Sequence, residues 1–165
     1  MFPAKVAQLN LISNSVQNRN LEHWFLDTQG KLLAWREWRE QLATMDAESA
    51  YKEAALWWKF VPLINKTFDT WRTETWPTPW ELVSRGEFCT SGQGLGMFYS
   101  LTLCKFECAL MHSIVNKEQR PRLLVLLPGN KLLNFCDGEV VDTDTADIQQ
   151  LHIWQAADLD KLIKV

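Results

Sequence analysis

From Cys89 to Leu103 the chain reads Cys-Thr-Ser-Gly-Gln-Gly-Leu-Gly-Met-Phe-Tyr-Ser-Leu-Thr-Leu. The run is apolar enough for a buried helix, yet Gly92, Gly94 and Gly96 each disfavour a helix interior by about 1 kcal/mol relative to Ala. A helix here needs a packing reason for them, and close approach of another backbone supplies one. A Gly-x-Gly-x-Gly pattern also suits a phosphate loop. No strand leads into it, however, no Lys follows, and Glu107 and Glu118 are not placed at the end of a second strand, where a ribose contact belongs. Nucleotide binding is set aside on those grounds.

The residues before this helix define its start. Pro77-Thr78-Pro79-Trp80-Glu81-Leu82 reads as a turn leading into a short amphipathic segment, Gly86 stops it, and Cys89 heads the apolar run. The first turn of a helix carries unpaired N–H groups and a partial positive charge, the surroundings in which a cysteine is a candidate nucleophile. A lone cysteine beside Phe88 and an apolar helix is more often a small buried hydrophobe. Both readings need the geometry around the sulfur.

In chain order, residues 3–19 carry Val6, Leu9, Leu11, Ile12 and Val16 and form a helix candidate. Asp27-Thr28-Gln29-Gly30 reads as a turn, and Lys31 to Ala43 as a helix with Leu32, Trp35, Trp38 and Leu42 on one face. Asp46 is an N-cap for a helix to about Phe60, ended by Pro62. Lys66 to Thr75 is a polar wrap. After Leu103 the period changes: Lys105–Val115, Arg122–Leu127, Lys131–Phe135 and Glu139–Val141 are four strand candidates, with hairpin turns at Pro128-Gly129-Asn130 and Asp137-Gly138. Leu123 to Leu127 is apolar without alternation, so it is expected to be covered on both faces. Asp144 to Gln150 reads as a polar connector, and Ala157 to Ile163 as a short helix capped near Asp158. The expectation is an α+β fold: amino-terminal helices, a Cys-headed buried helix packed on an antiparallel β-meander, and a short C-terminal helix. One domain spans residues 1–165, with a helical part to about 103, a sheet part over about 104–145 and a tail over 146–165.

Composition narrows the function classes. The net charge is −3 and no basic stripe is present, which argues against phosphate-driven nucleic-acid binding. Apolar runs are too short to span a bilayer, and the first residues do not open a signal sequence, so the expected place is the cytoplasm. Cys89, Cys104, Cys108 and Cys136 have neither a paired framework nor CxxC spacing, which fits reduced thiols, no metal site and no cofactor. Cys104 and Cys108 share a face if they lie on one element. Nine tryptophans are the anomaly, and they imply an aromatic-heavy core or a contact surface. Core is favoured for most of them.

The aromatic-rich helix Ala54 to Phe60, the Pro77 to Leu82 turn, Gly86-x-x-Cys89 and the apolar helix from Leu95 together resemble the core of transglutaminase-like proteins, over about Ala50 to Asp144. The resemblance implies that Cys89 stands where that family has its nucleophile, with a His on the second strand and an Asp on the third. The strand taken for the His-bearing one, Asn130 to Phe135, holds no His. Asp142 or Asp144 matches the family's Asp, but a carboxylate without an imidazole to orient has no catalytic task. His112, His152 and His23 are the remaining bases, each more often a structural His than a catalytic one.

Two functions follow. The first is a non-catalytic interaction or structural protein on a transglutaminase-like scaffold, acting on a protein partner through Trp-rich surfaces, of the kind seen as a bacteriophage virion component or a host-directed factor. The alternative is a cysteine hydrolase or acyl transferase, with Cys89 as nucleophile, His112 as base and Asp142 or Asp144 as orienter.

Overall fold

Side-chain caps set the helix boundaries. The computed structural model describes residues 22–164, so the helix expected over 3–19 lies outside the described residues. Asp27, expected in a turn, instead accepts the Gly30 N–H at 2.7 Å and starts helix α1 at Thr28–Leu42, earlier than the periodicity suggested. Asp46 accepts the Ser49 N–H at 2.9 Å and starts α2, Ala47–Lys59. A reciprocal Thr78–Glu81 capping box with Pro79 in the first turn forms α3, Pro79–Arg85, and Gly86 closes it in the left-handed conformation at φ 66°. Cys89 is the N-cap of α4, Thr90–Leu103, as the sequence led us to expect.

The sheet has five antiparallel strands: β1 Ala109–Val115, β2 Arg120–Leu127, β3 Lys131–Leu133, β4 Val141–Asp142 and β5 Ile148–Trp154. Their spatial order is β4-β3-β2-β1-β5. The first four strands form the expected meander, although β1 begins at Ala109 because Lys105 turns the chain at φ 69° after α4. Strand β5 corrects the sequence reading, which placed a connector over much of it and ended the sheet near residue 145. It is an edge strand with Gln149, Gln150 and His152 exposed, so its polar residues hid it. The expected C-terminal helix is a single turn at Ala156–Leu159 followed by α5, Asp160–Ile163.

Helix α4 lies on β2. Leu123, Val125 and Leu127 join the helical core, while Leu124 packs with Met111 and Leu132 on the opposite face, so β2 is covered on both sides. Six of the tryptophans are buried: Trp24, Trp35, Trp38, Trp57, Trp58 and Trp76. Two of them, Trp35 and Trp58, meet at Ser100, which is fully buried. Its hydroxyl accepts the Trp35 indole N–H at 3.0 Å and the Trp58 indole N–H at 3.2 Å, and donates to the Gly96 carbonyl at 2.7 Å. One oxygen thereby uses its donor and both lone pairs, and ties α1 and α2 to α4.

The helix glycines divide by what faces them. A Cβ on Gly94 would fall on the carbonyl oxygen of Leu123, the close backbone expected. At Gly96 the neighbour is instead the Trp58 ring, 2.5 Å from the same imagined atom, and at Gly92 the contacts are ordinary. Chemical denaturation should therefore rank three variants. Ser100→Ala strands two buried indole donors and loses roughly 2–4 kcal/mol. Gly96→Leu overpacks against Trp58 and loses roughly 1–3 kcal/mol or more. Gly92→Ala stays within about 1 kcal/mol of wild type.

Candidate functional site

Cys89 is positioned from both sides. Before it, Phe88 forms a parallel bridge with Leu63: Ile64 N–H donates to the Phe88 carbonyl at 2.7 Å and Phe88 N–H to the Pro62 carbonyl at 3.1 Å. After it, the start of α4 is fastened to the sheet. Ser91 Oγ accepts the Leu123 N–H at 3.2 Å, and the Asn134 amide donates to the Thr90 carbonyl at 2.8 Å and to the Leu123 carbonyl at 2.9 Å. The Cys89 sulfur accepts the Gly92 N–H at 3.4 Å and the Thr67 hydroxyl at 3.2 Å. It is 7% exposed, at the base of a cleft of about 620 Å³. The cleft runs between the segment around Lys66–Trp71, the first turn of α4 and the β1–β2 end of the sheet. Asp69 shapes the first wall, its carboxylate accepting the Trp71 N–H at 2.9 Å and its carbonyl the Trp76 indole N–H at 2.9 Å.

His112 lies on β1 directly opposite Leu123 of β2, and so on the helix-facing side of the sheet. It is buried, its Nε2 is 3.1 Å from the Thr70 hydroxyl, and its ring meets Trp71 edge-on at 4.5 Å. Thr70 lines the cleft, so His112 reaches the cleft wall through it. Burial pushes the imidazole below its ordinary pKa, His152 across the strand adds to that, and the Asp69 carboxylate opposes it. The other expected site residues are elsewhere. Asp142 pairs with Lys131 at 3.0 Å on exposed side chains, and Asp144 is exposed in the Thr143–Thr145 turn. His152 is exposed beside Trp154, and His23 is buried and stacked on Trp57 at 4.3 Å. Cys89 and His112 thus share one side of the sheet, and the two aspartates do not join them.

Arg122 is the residue that the sequence reading passed over. Counted from α4, the second strand is β2 and the third is β3, so Asn130 to Phe135 was taken for the second strand when it belongs to the third. The β2 residues that line the cleft with Cys89 are Arg120, Pro121 and Arg122, and immediately after β3 stands Asn134. The Arg122 guanidinium donates to the Asn134 and Phe135 carbonyls at 3.3 and 3.2 Å and holds Glu118 at 2.6 Å. Where the resemblance calls for an imidazole and a carboxylate, the sheet presents a guanidinium and a carboxamide, both engaged with main chain. Arg122 opens the apolar run of β2, and Asn134 adopts a positive φ of 72°, a conformation in which Asn is favoured.

Cys104 and Cys108 are not candidates. Burial pushes Cys108 up to about 11 and raises Cys104, whose thiol donates to the Arg39 carbonyl at 3.4 Å. Among the described residues no group of three or more His, Cys, Asp or Glu is arranged to hold a metal ion.

No protein-family model and no curated protein sequence matches this chain. Solved structures do. LapG of Legionella pneumophila superposes with a TM-score of 0.68 at 11% identity, over 90% of this chain and 96% of LapG. Its calcium-bound form gives 0.68 at 11% identity over 92% and 97% of the two chains, and its EGTA-treated form 0.67 at 10% over 90% and 96%. At this identity the likeness shows the fold alone: the chain is folded like LapG.

Two measurements test this site. Asn134→Asp would face two carbonyl oxygens with an acceptor-only carboxylate, so it should lower stability by roughly 2–4 kcal/mol and exceed the loss in Asn134→Ala. His112 has a folded pKa below its ordinary 6.5, so folded and unfolded chains bind no proton there above that value. As pH falls below 6.5 the unfolded chain is protonated first, and stability drains until the folded pKa is reached. Denaturation midpoints at pH 7 and pH 5 should therefore differ less in His112→Gln than in wild type.

Proposed function

We propose that this chain is a non-catalytic interaction protein on a transglutaminase-like scaffold, using the Cys89 cleft as a binding site. The observation that carries this reading is the commitment to main-chain partners of Arg122, which lines the cleft with Cys89, and of Asn134, which holds the Thr90 carbonyl. A guanidinium stays protonated at any pH at which the fold exists, so Arg122 cannot take a proton from a thiol. A carboxamide cannot do so either. The rim suits contact with a protein, since Leu63, Ile64 and Trp71 are exposed there, Trp71 at 63%. The partner is a protein and the setting the cytoplasm, as the sequence suggested; the bacteriophage origin rests on the sequence alone.

The second reading is a cysteine hydrolase or acyl transferase with Cys89 as nucleophile. The fold likeness bears on this reading more than on the first, since the resemblance places a nucleophilic cysteine at this helix start. Two hydrogen-bond donors on the sulfur, and His112 joined to the cleft wall through Thr70, also favour it.

Turnover separates the two. Purified protein is incubated with a p-nitrophenyl ester, an acyl thioester and a peptide amide, beside Cys89→Ser. The binding reading predicts product release no faster than in Cys89→Ser, with at most one acyl group on the protein by intact mass. Multiple turnovers that disappear in Cys89→Ser would establish the enzyme instead.

A further inference from the structure

We infer that the Cys89 cleft binds an acidic peptide segment carrying apolar side chains, presented by a partner protein. The inference deepens the binding reading above and rests on it. The cleft holds five charged side chains: Lys66, Arg120 and Arg122 against Asp69 and Glu118. Arg122 and Glu118 neutralise each other at 2.6 Å. Asp69 turns one carboxylate oxygen to the Trp71 N–H, which leaves its charge in place, so the three cations and two carboxylates of the cleft balance at +1.

Lys66 and Arg120 are different. Both are exposed, and neither has a carboxylate partner among the described residues. Each exposed ion pair elsewhere on the described surface uses a nearby acid, such as Arg36 with Glu40 or Lys52 with Glu48. Two cations therefore face a common cleft, on a chain whose net charge is −3. The first turn of α4 opens into the same space and adds partial positive charge. A free anion would use only that part of the site. Ile64, Phe68 and Trp71 line it as well and give apolar side chains a place to bury. Carboxylates alternating with apolar residues, on a flexible strand of chain, match both halves of the lining, and charge complementarity sets orientation and on-rate. The positive set is too small to follow a nucleic-acid backbone, which needs a run of phosphate contacts.

The test uses fluorescein-labelled Glu-Leu-Glu-Phe-Glu-Leu, its counterpart with Lys in place of each Glu, and a single-stranded thymidine oligonucleotide, each titrated into the full chain by anisotropy. The acidic peptide should bind, the basic one should not, and raising salt to about 1 M should weaken binding, because exposed charges are screened within about 3 Å there. Lys66→Glu with Arg120→Glu should weaken the acidic peptide roughly tenfold or more, the step that a lost charge complement gives. Both positions are exposed, so the fold is retained, as circular dichroism would confirm. If wild type binds neither peptide, binds both alike, or keeps its affinity in the charge-reversed variant, the inference is overturned. Tighter binding of the oligonucleotide, lost in the same variant, would reassign the site to phosphate. Catalytic turnover at Cys89 would sink the non-catalytic reading while leaving acidic-peptide binding to stand or fall on these titrations.

Discussion

The hydroxyl of Ser100 carries the helical half of this protein. It sits fully buried on α4 and takes the indole N–H groups of Trp35 and Trp58, so helices α1 and α2 are fixed in angle and depth by a single oxygen. Large aromatic side chains bring much apolar area but also one polar hydrogen that must find an acceptor. Two such hydrogens in one core restrict what can stand beside them to a small hydroxyl residue. The missing side chain at Gly96 completes the arrangement, because the Trp58 ring fills the volume a Cβ would need. Helix α4 is in this way held by tryptophans at its middle and by the sheet at its start.

The sheet side decides what Cys89 can do. Asn134 bridges the Thr90 and Leu123 carbonyls, and Arg122 gathers the Asn134 and Phe135 carbonyls onto the end of β2. These contacts make the start of α4 rigid and place the sulfur under the Thr67 hydroxyl. Neither a guanidinium nor a carboxamide can take a proton from a thiol.

Much of this was legible in the sequence because it is local. The cap at Asp46, the Gly86 stop and the Cys89 start are read from neighbouring residues, and the non-alternating Leu123 to Leu127 announced a strand covered on both faces. Strand β5 was missed because an edge strand with one polar face has the composition of a connector. Arg122 was missed for a different reason: its meaning depends on which strand lies beside α4, a fact of topology that no spacing along the chain encodes. Asp142 and Asp144 lie near the strand end in sequence, yet the two-residue β4 carries them to the far edge of the sheet. His112 falls within the strand read over Lys105 to Val115, but its bond to Thr70 joins residues 42 positions apart.

The central claim is that the Cys89 thiol works without an imidazole partner. Its most direct test is the rate of Cys89 alkylation by iodoacetamide, followed by mass spectrometry from mildly acidic to mildly basic pH, in wild type and in folded His112→Ala. The account predicts that His112→Ala is labelled as fast as wild type, or faster where loss of the Thr70 contact loosens the cleft wall. Rapid labelling of wild type at mildly acidic pH that is lost in His112→Ala would contradict it.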